Sequence, residues 1–349
     1  MSEKVAVRPP FFRGFNFSHW FEVRAVKDIP FTLFTKKDLE DVKALGVDHI
    51  RIPMRSNDFT TGHPDWKLDP LYLQYLDQAL DWAEDLGLYL LLDNHTFNNR
   101  VPDGEDEYLE EALCKVWTQL AEHYKDRSNL VVYEIFNEPH GITSEKWGAI
   151  QGHVIDAIRK VDTKHSLIVG GVDFNSIGNL EPLPEYADKN LIYTFHYYDP
   201  HVFTHQGAPW DSIPLTNLRA MPFPADPARM PKLPDDLKGT YYEKVFADYA
   251  VLTARETMEK EIARAVTFAN KRKVPIFCGE FGVFKINSLS EDRVRWHELV
   301  LELFESRDIG WTIWDWRGAF GVFKTEKGGD IRKDLDPGII RALNLTPLK

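Results

Sequence analysis

The chain has 349 residues, a length that suits one eight-fold α/β barrel but also two medium-sized domains, so length alone does not decide the architecture. The formal net charge of −12 argues against a nucleic-acid partner, because a protein that binds a phosphate backbone needs clustered Lys and Arg. The sequence holds no run of about 18 apolar residues, so no segment is expected to span a membrane.

The N-terminal segment and the two cysteines bear on the compartment of the protein. The first ten residues, MSEKVAVRPP, lack the apolar region of a signal peptide. We therefore expect either a cytoplasmic protein or a secreted one whose leader has been removed. Cys114 and Cys278 could pair in principle, but they fall in a predicted helix and a predicted strand, and we expect ordinary buried thiols.

Short apolar runs alternate with longer amphipathic stretches along the chain. Several of the runs, such as YLLLDNH and VVYEIFNE, are almost continuously hydrophobic, as expected of parallel strands that are covered on both faces. The eight predicted strands are Phe11–Phe17, His49–Pro53, Tyr89–His95, Val131–Glu138, Ser166–Gly171, Leu191–Tyr198, Pro275–Gly282 and Gly310–Trp316.

The stretches between these strands carry helical patterns. The first begins after Thr35, a plausible N-cap, and ends at Gly46. The predicted helices are Lys36–Leu45, Leu71–Leu86, Tyr108–Tyr124, Ser144–Lys160, Tyr241–Lys271 and Ser290–Ser306. Strand–helix alternation of this length indicates parallel βαβ units with right-handed crossovers.

Eight strands favour a closed (β/α)₈ TIM barrel, an α/β fold, over an open sheet. We find no linker rich in Pro, Gly or Ser, so residues 1–349 are predicted to form a single domain. The irregular region Asp199–Lys238, rich in Pro and aromatic residues, predicts a long loop after strand six, and a loop of that length in a compact domain is usually functional.

The active site of such a barrel lies at the C-terminal ends of the strands, so polar residues should gather there. Six of the predicted strands have such residues at their C-terminal ends. A charged residue beside an apolar run is costly unless it is paired or functional, so a purely structural role for all six strand ends is hard to accept. The residues concerned are Arg51, Asn94–His95, Asn137–Glu138, His196–Tyr198, Glu280 and Trp314–Trp316.

Two carboxylates stand out among these residues. Glu138 follows the run EIFN, and Glu280 lies in CGEFG. Two carboxylates that face each other across a barrel mouth can break a glycosidic bond, one by donating a proton to the leaving oxygen and the other by attacking the anomeric carbon or activating water. The structural alternative is that each forms a salt bridge at the rim, for example with Arg51.

Seven motifs occur in order between Gly14 and Trp316: RGFNF, HIRIPM, LLDNHTF, EIFNEPHG, FHYYDPHVFTHQG, CGEFG and GWTIWDW. Together they make the sequence resemble glycoside hydrolase family 5, in particular its cellulase-type members, within a clan of retaining (β/α)₈ enzymes. The resemblance implies that Glu138 is the acid/base and Glu280 the nucleophile. It also implies the remaining members of the active-site set, which are Arg51, His95, Asn137, His196, Tyr198 and Trp314.

The first group of these residues is expected to act on the two carboxylates. Arg51 is always charged and can keep the nucleophile ionised. Tyr198 can donate a hydrogen bond to Glu280 and fix its orientation, and His196 can hold Glu138 through a ring nitrogen. In a retaining enzyme the two carboxyl groups should lie roughly 5–5.5 Å apart, whereas a separation near 8–9 Å would indicate inversion.

The second group is expected to contact the sugar. Asn137 can bind the 2-hydroxyl and His95 another hydroxyl of the ring, although a histidine at such a position can also be a satisfied core residue. The 10 Trp, 13 Tyr and 22 Phe exceed what a core requires, and aromatic faces stack against the C–H faces of sugars. Trp314 is expected beneath the sugar in the cleavage subsite, and Trp210 and Trp316 are predicted to be further platforms.

The sequence predicts no cofactor and no metal site. It contains neither a GxGxxG motif after a strand nor a P-loop nor a GxSxG elbow. His201 and His205 have the i,i+4 spacing of a metal pair, but no zincin motif accompanies them, and a loop position near the substrate is the expected role.

The resemblance implies a β-linked glycan or oligosaccharide as the partner molecule. The FHYYDP…FTHQG segment looks like that of bacterial cellulases, so we expect an endo-β-1,4-glucanase that acts by double displacement. A β-mannanase and an exo-acting β-glucosidase or oligosaccharide hydrolase are alternatives on the same scaffold. A non-catalytic carbohydrate-binding barrel and an oxidoreductase barrel are further alternatives, the first disfavoured by the presence of both glutamates and the second by the weak phosphate-binding signal in WDWRGAFGVFKTEKGG.

Overall fold

Eight parallel strands form a closed barrel in which each strand pairs with its neighbours in chain order. The computed structural model describes residues 2–96 and 106–346. The strands are β1 (Arg13–Asn16), β2 (His49–Met54), β3 (Tyr89–Asn94), β4 (Val131–Glu134), β5 (Ser166–Gly170), β6 (Leu191–Tyr197), β7 (Ile276–Phe281) and β8 (Gly310–Ile313). The predicted (β/α)₈ fold and all eight predicted strands are thus confirmed, although β4 and β8 end earlier than predicted.

Helices connect the strands on the outside of the barrel. They are α1 (Lys36–Ala44), α2 (Pro70–Leu86), α3 (Asp106–Tyr124), α4 (Ser144–Arg159), α5 (Val172–Asn175), α6 (His201–Thr204), α7 (Tyr241–Ala247), α8 (Tyr249–Leu252), α9 (Arg255–Arg272), α10 (Ser290–Glu305) and α11 (Pro337–Ala342). None of the described helices is long and apolar enough to cross a membrane.

The prediction of one helix over Tyr241–Lys271 is wrong, because α7, α8 and α9 divide this segment. The hydroxyl of Thr253 donates to the carbonyl of Tyr249 at 3.0 Å, and it also accepts the backbone N–H of Ala225 at 3.1 Å. Such side-chain bonds compete with the helical ladder, and here they favour a break before α9.

The long loop after β6 is held down by its own apolar side chains. It is irregular apart from α6 and a 3₁₀ turn at Asp235–Leu237. Four apolar side chains of the loop are at most 1% exposed and anchor it to the protein: Leu215, Leu218, Met221 and Phe223. This anchoring places the loop beside the C-terminal end of the barrel, where β6 ends.

The barrel interior is layered. Its lower layer is apolar, with each side chain at most 2% exposed, and it consists of Phe11, Leu91, Val132, Ile168, Ile192 and Phe277. Two residues further along their strands lie charged side chains, Asp93 on β3 and Glu134 on β4. Since the apolar layer closes the lower end, the polar layer is reached only from the C-terminal rim, where active sites of such barrels lie.

A register shift between β6 and β7 brings two functional side chains opposite each other. Phe195 pairs with Cys278, but the next pair is His196 with Glu280. Gly279 therefore has no residue opposite it in β6. A Cβ at Gly279 would lie 2.6 Å from the Thr194 hydroxyl, closer than real Cβ contacts. Bulges of this kind re-aim a side chain, and this one requires glycine.

Candidate active site

Glu138 and Glu280 meet at the C-terminal rim of the barrel. Glu280 belongs to β7, whereas Glu138 follows β4 and adopts φ = +46°, a left-handed conformation that costs an L-residue roughly 1–2 kcal/mol. An oxygen of each carboxyl group and a ring nitrogen of His196 all lie within 4.8 Å of one another. This spacing fits the roughly 5–5.5 Å of retaining glycosidases and is shorter than the roughly 6.5–9.5 Å of inverting ones.

Arg51 connects Glu280 to the charged layer below it. Its guanidinium is fully buried, and Nη1 donates to Glu280 Oε1 at 2.8 Å. The same group holds both oxygens of Glu134, at 2.7 and 2.9 Å, and lies 3.0 Å from Asp93. Nη1 also donates to the Asn16 amide oxygen at 2.8 Å. One fixed positive charge therefore faces three carboxyl groups.

Burial raises the proton affinity of these carboxyl groups, and their mutual repulsion adds to the effect. Burial, and then the negative charge of Glu138, raises the pKa of Asp93 to about 7 even though Arg51 opposes the shift. Burial likewise raises the pKa of Glu134, again against Arg51. The layer as a whole therefore retains protons at a pH at which isolated carboxyl groups would be ionised.

The two rim carboxyl groups have different surroundings. Burial raises the pKa of Glu138 to about 7, although its side chain keeps 21% exposure to the mouth. Burial also raises the pKa of Glu280, but this carboxyl group accepts hydrogen bonds from Arg51 and from the Tyr198 hydroxyl at 3.0 Å, and donors of this kind favour the ionised form. Glu138 is thus the better proton carrier, and Glu280 is the better anion.

His196 links the two carboxyl groups. Its Nδ1 lies 2.6 Å from Glu138 Oε1 and 3.6 Å from Glu280 Oε2. Burial lowers the pKa of His196 to about 4, so the ring is neutral at pH 7. On its other side, Nε2 lies 3.4 Å from the side-chain nitrogen of Asn175, a fully buried residue that follows β5.

His95 and Asn137 form a second polar group at the rim. His95 Nδ1 lies 2.6 Å from Asp93 Oδ2, and its Nε2 lies 3.3 Å from Asn137 Nδ2 and 3.7 Å from Glu22 Oε1. The Asn137 amide oxygen accepts a hydrogen bond from Arg51 at 2.9 Å. The amide is therefore fixed between a guanidinium and an imidazole.

The three predicted aromatic platforms differ in their surroundings. Trp314 is half-buried, and its ring lies parallel to that of His95 with centroids 5.5 Å apart. Trp210, on the loop after β6, is 56% exposed. Trp316 is fully buried and packs edge-on against Phe15 and Phe323, so the prediction that it is a sugar platform is wrong. The chain turns after Ile313, and this turn directs Trp316 into the core.

His201 and His205 lie on and next to α6, with their rings stacked 3.9 Å apart, and His201 Nε2 contacts Asp211 at 2.9 Å. Among residues 2–96 and 106–346, the trio with metal-ligand spacing is Glu138, His196 and Glu280. These are the proton-transfer and anionic groups described above, so an ion bound there would occupy the position of the reacting bond.

The sequence analysis missed several residues that support the site, namely Asn16, Glu22, Asp93, Glu134 and Asn175. Two of them carried a signal in the sequence. Asp93 and Glu134 interrupt nearly continuous apolar runs, and a buried acid inside such a run needs a partner or a function. Asn16 ends β1, whereas Glu22 and Asn175 lie in segments whose approach to the mouth depends on the path of the loops.

A closed (β/α)₈ barrel with an acid and an anion facing each other at its C-terminal rim has the architecture of a glycosyl hydrolase. The chain belongs to the cellulase family, glycosyl hydrolase family 5, whose model matches residues 10–320. The resemblance inferred from the seven sequence motifs is thereby confirmed.

Characterised relatives extend this comparison. Endoglucanase C of Acetivibrio thermocellus is 30% identical over 317 residues, which cover 87% of this chain and 90% of the relative. Cellodextrinase A of Ruminococcus flavefaciens is 25% identical, over 90% of this chain and 88% of its own. Structures of Cel5A from Thermotoga maritima with cellobiose and with mannotriose each superpose with a TM-score of 0.79 at 26% identity, covering 95% of this chain and 97% of theirs.

Proposed function

We propose that this protein is a retaining endo-β-1,4-glucanase in which Glu280 is the nucleophile and Glu138 the acid/base. The observation that carries the proposal is the approach of the two carboxyl groups to within 4.8 Å, one held by Arg51 and Tyr198 and the other by a neutral imidazole. This spacing leaves no room for a water molecule to attack from the far side of the sugar, as inversion requires.

The first step forms a covalent bond between the sugar and the enzyme. An oxygen of ionised Glu280 attacks the anomeric carbon, the bond to the glycosidic oxygen breaks, and protonated Glu138 gives its proton to that oxygen. In the second step, Glu138, now ionised, takes a proton from water, and the resulting hydroxide displaces Glu280. Two inversions at one carbon retain its configuration.

The neighbouring side chains contribute to these steps in different ways. Arg51 and Tyr198 hold the two oxygens of Glu280 and keep the nucleophile ionised and oriented. His196 is neutral at pH 7, so it can stay hydrogen-bonded to Glu138 while that carboxyl group loses and regains its proton. The imidazole therefore adds no second charge beside the acid. Asn137 and Trp314 lie at the same rim, and we expect them to contact the sugar 2-hydroxyl and the ring face.

The substrate assignment rests on the relatives, several of which are named endoglucanases. The exposed face of Trp210 on the loop after β6 is suited to stack on a further sugar of a long chain. A mannan or a short oligosaccharide is the second candidate, because the similar Cel5A structures include a mannotriose complex and one relative is named a cellodextrinase. The partner proposed in either case is a neutral β-glycan.

We also propose that residues 1–349 act as one catalytic domain. Both ends of the described chain are tied to the barrel unit: the Val5 N–H donates to the Arg307 carbonyl at 3.0 Å, and the Thr346 N–H donates to the Leu45 carbonyl at 2.9 Å. Limited proteolysis tests this proposal, since two independent units would release a stable fragment.

Two experiments test the proposed function. Proton NMR of early products from cellopentaose should show β-anomers first, and α-anomers as the initial product would refute the retaining mechanism. A panel of carboxymethylcellulose, lichenan, glucomannan and cello- and manno-oligosaccharides should give the highest kcat/KM on the β-1,4-glucans. Absence of hydrolysis on every β-glycan would favour a carbohydrate-binding barrel instead.

The roles of the glutamates can be separated by adding azide. In Glu280→Ala, azide can occupy the vacated side of the sugar and displace an activated leaving group, which gives an α-glycosyl azide. In Glu138→Ala, azide replaces water in the second step and gives the β-product. Exchange of these outcomes would mean that the two roles have been assigned the wrong way round.

A further inference from the structure

A cavity of about 660 Å³ lies beside the barrel, between the end of β6 and the helices α7 and α9. Its wall includes Tyr197 of β6, Tyr241 and Tyr242 of α7, and Met258 and Glu261 of α9. This volume falls within the roughly 300–1,000 Å³ of small-molecule pockets. Neither Glu138 nor Glu280 lines the cavity, and the mechanism described above does not use it.

Strand β6 stands between this cavity and the barrel mouth. His196 contacts Glu138 and Tyr198 contacts Glu280, so these two side chains of the strand region point into the mouth. Successive side chains of a strand point to opposite faces, and Tyr197 accordingly faces outward, where its ring packs against α10. A ligand in the cavity would therefore lie behind the sheet, not in line with the reacting sugar.

The cavity has a buried polar group without a partner. Tyr197 is 2% exposed, and its hydroxyl forms no hydrogen bond with any described residue. Burial, and then the charges of Asp199 and Glu261, raise the pKa of Tyr197. Asp199, Glu261 and Tyr197 all line the cavity, but the Tyr197 hydroxyl itself is buried and is not accessible from it. A buried group left unpaired costs about 1–3 kcal/mol.

Tyr241 and Tyr242 form an aromatic wall of the cavity, in which Tyr241 is exposed and Tyr242 is held by a hydrogen bond. Tyr241 is 72% exposed, and its ring centroid lies 5.7 Å from that of Tyr242. Asp211 holds the wall in place, because its Oδ2 accepts a hydrogen bond from the Tyr242 hydroxyl at 3.4 Å and contacts His201 Nε2 at 2.9 Å. The free face of Tyr241 can stack on an apolar ring face without further rearrangement.

The charges that line the cavity are balanced. Asp199 and Glu261 are opposed by Lys260 and Arg264, and Arg264 Nη1 lies 2.8 Å from Glu261. Such a wall favours neither an anion nor a cation, but its donors and acceptors suit a ligand rich in hydroxyl groups. We propose that this cavity is a second binding site for a short neutral oligosaccharide, separate from the catalytic site and independent of the roles assigned to the glutamates.

Isothermal titration calorimetry with cellotetraose tests this proposal, in a Glu138→Gln background to prevent turnover. We expect two sites per chain, and Tyr241→Ala should weaken one of them by about tenfold or more. The control is Tyr108→Ala, which removes an exposed tyrosine from α3 and should leave both sites intact.

A kinetic measurement separates this site from the catalytic cleft. In the otherwise native chain, Tyr241→Ala should keep kcat/KM on an aryl β-cellobioside within twofold, with an unchanged melting temperature. One binding site in the parent protein, or a large fall in kcat/KM caused by Tyr241→Ala, would overturn the proposal. Lack of hydrolysis by the native chain would instead refute the proposed function and leave the binding result to stand by itself.

Discussion

Replacing Tyr198 by Phe removes one hydrogen bond from the proposed nucleophile and almost nothing else. The hydroxyl lies 3.0 Å from Glu280 Oε2, while Arg51 holds the other oxygen at 2.8 Å. The variant carboxylate can therefore rotate about its remaining contact. Displacing a reacting group by about 1 Å can cost about a hundredfold in rate. Because Arg51 remains, we expect kcat/KM to fall about tenfold to a hundredfold.

The pH profile gives this prediction a direction. The Tyr198 hydroxyl favours ionised Glu280, so its loss raises the pKa of that carboxyl group. Attack requires the ionised form, and the acidic limb of kcat/KM should therefore move to higher pH. The assay is the initial rate on an aryl β-cellobioside across pH 4–9, with circular dichroism to confirm folding.

A control removes a comparable hydroxyl far from the site. The Tyr249 hydroxyl is buried and donates to the Pro222 carbonyl at 2.7 Å. Tyr249→Phe should lower the melting temperature but leave the acidic limb in place. An unmoved limb in Tyr198→Phe, whatever the change in rate, would mean that this hydroxyl does not control the ionisation of the nucleophile.

Three further predictions concern the other carboxyl groups and the aromatic residues. The pKa of Glu138 is about 7, and since it must be protonated to act as an acid, kcat/KM should fall as pH rises through about 7; Glu138→Gln should remove this limb and slow unactivated substrates by about 10²–10⁴-fold. Burial raises the pKa of Asp315 to about 8. The stability that its protonated form contributes is therefore complete below about pH 4 and declines as pH rises to about 8. The melting temperature of Asp315→Asn should lack this decline. Trp316→Ala should cost about 3–5 kcal/mol of unfolding free energy with KM unchanged, whereas Trp314→Ala should raise KM at a smaller cost in stability, and the opposite pattern would restore Trp316 as a platform.

Much of the fold could be predicted because its signals are local. Parallel strands covered on both faces require continuous apolar runs, and these identified all eight strands. The strand ends were less certain, since Ile135 and Phe136 continue the apolar run after Glu134 while the backbone already leaves the sheet and reaches φ = +46° at Glu138. Apolar character does not report that departure. A helical pattern likewise did not reveal the breaks beside Tyr249 and Thr253, which depend on side-chain hydrogen bonds.

The site was predicted where strand-end position and motif coincide, as for Glu138 and Glu280. Asp93 and Glu134 were missed although they lie within two predicted strands, because only barrel closure shows that they share Arg51. The direction of Trp316 was equally inaccessible, since its neighbours Phe15 and Phe323 are distant in the chain.

The sequence by itself determined the number and order of the strands, the side of the barrel on which polar groups gather and the two acids most suited to catalysis, because each follows from local periodicity and motif. The tertiary structure decided how the surroundings of the two acids differ, since Glu280 is held by Arg51 and Tyr198 and Glu138 by His196. That distinction depends on burial, on the guanidinium of Arg51 and on the imidazole of His196, which come together only when the barrel closes and the bulge at Gly279 aligns β6 with β7.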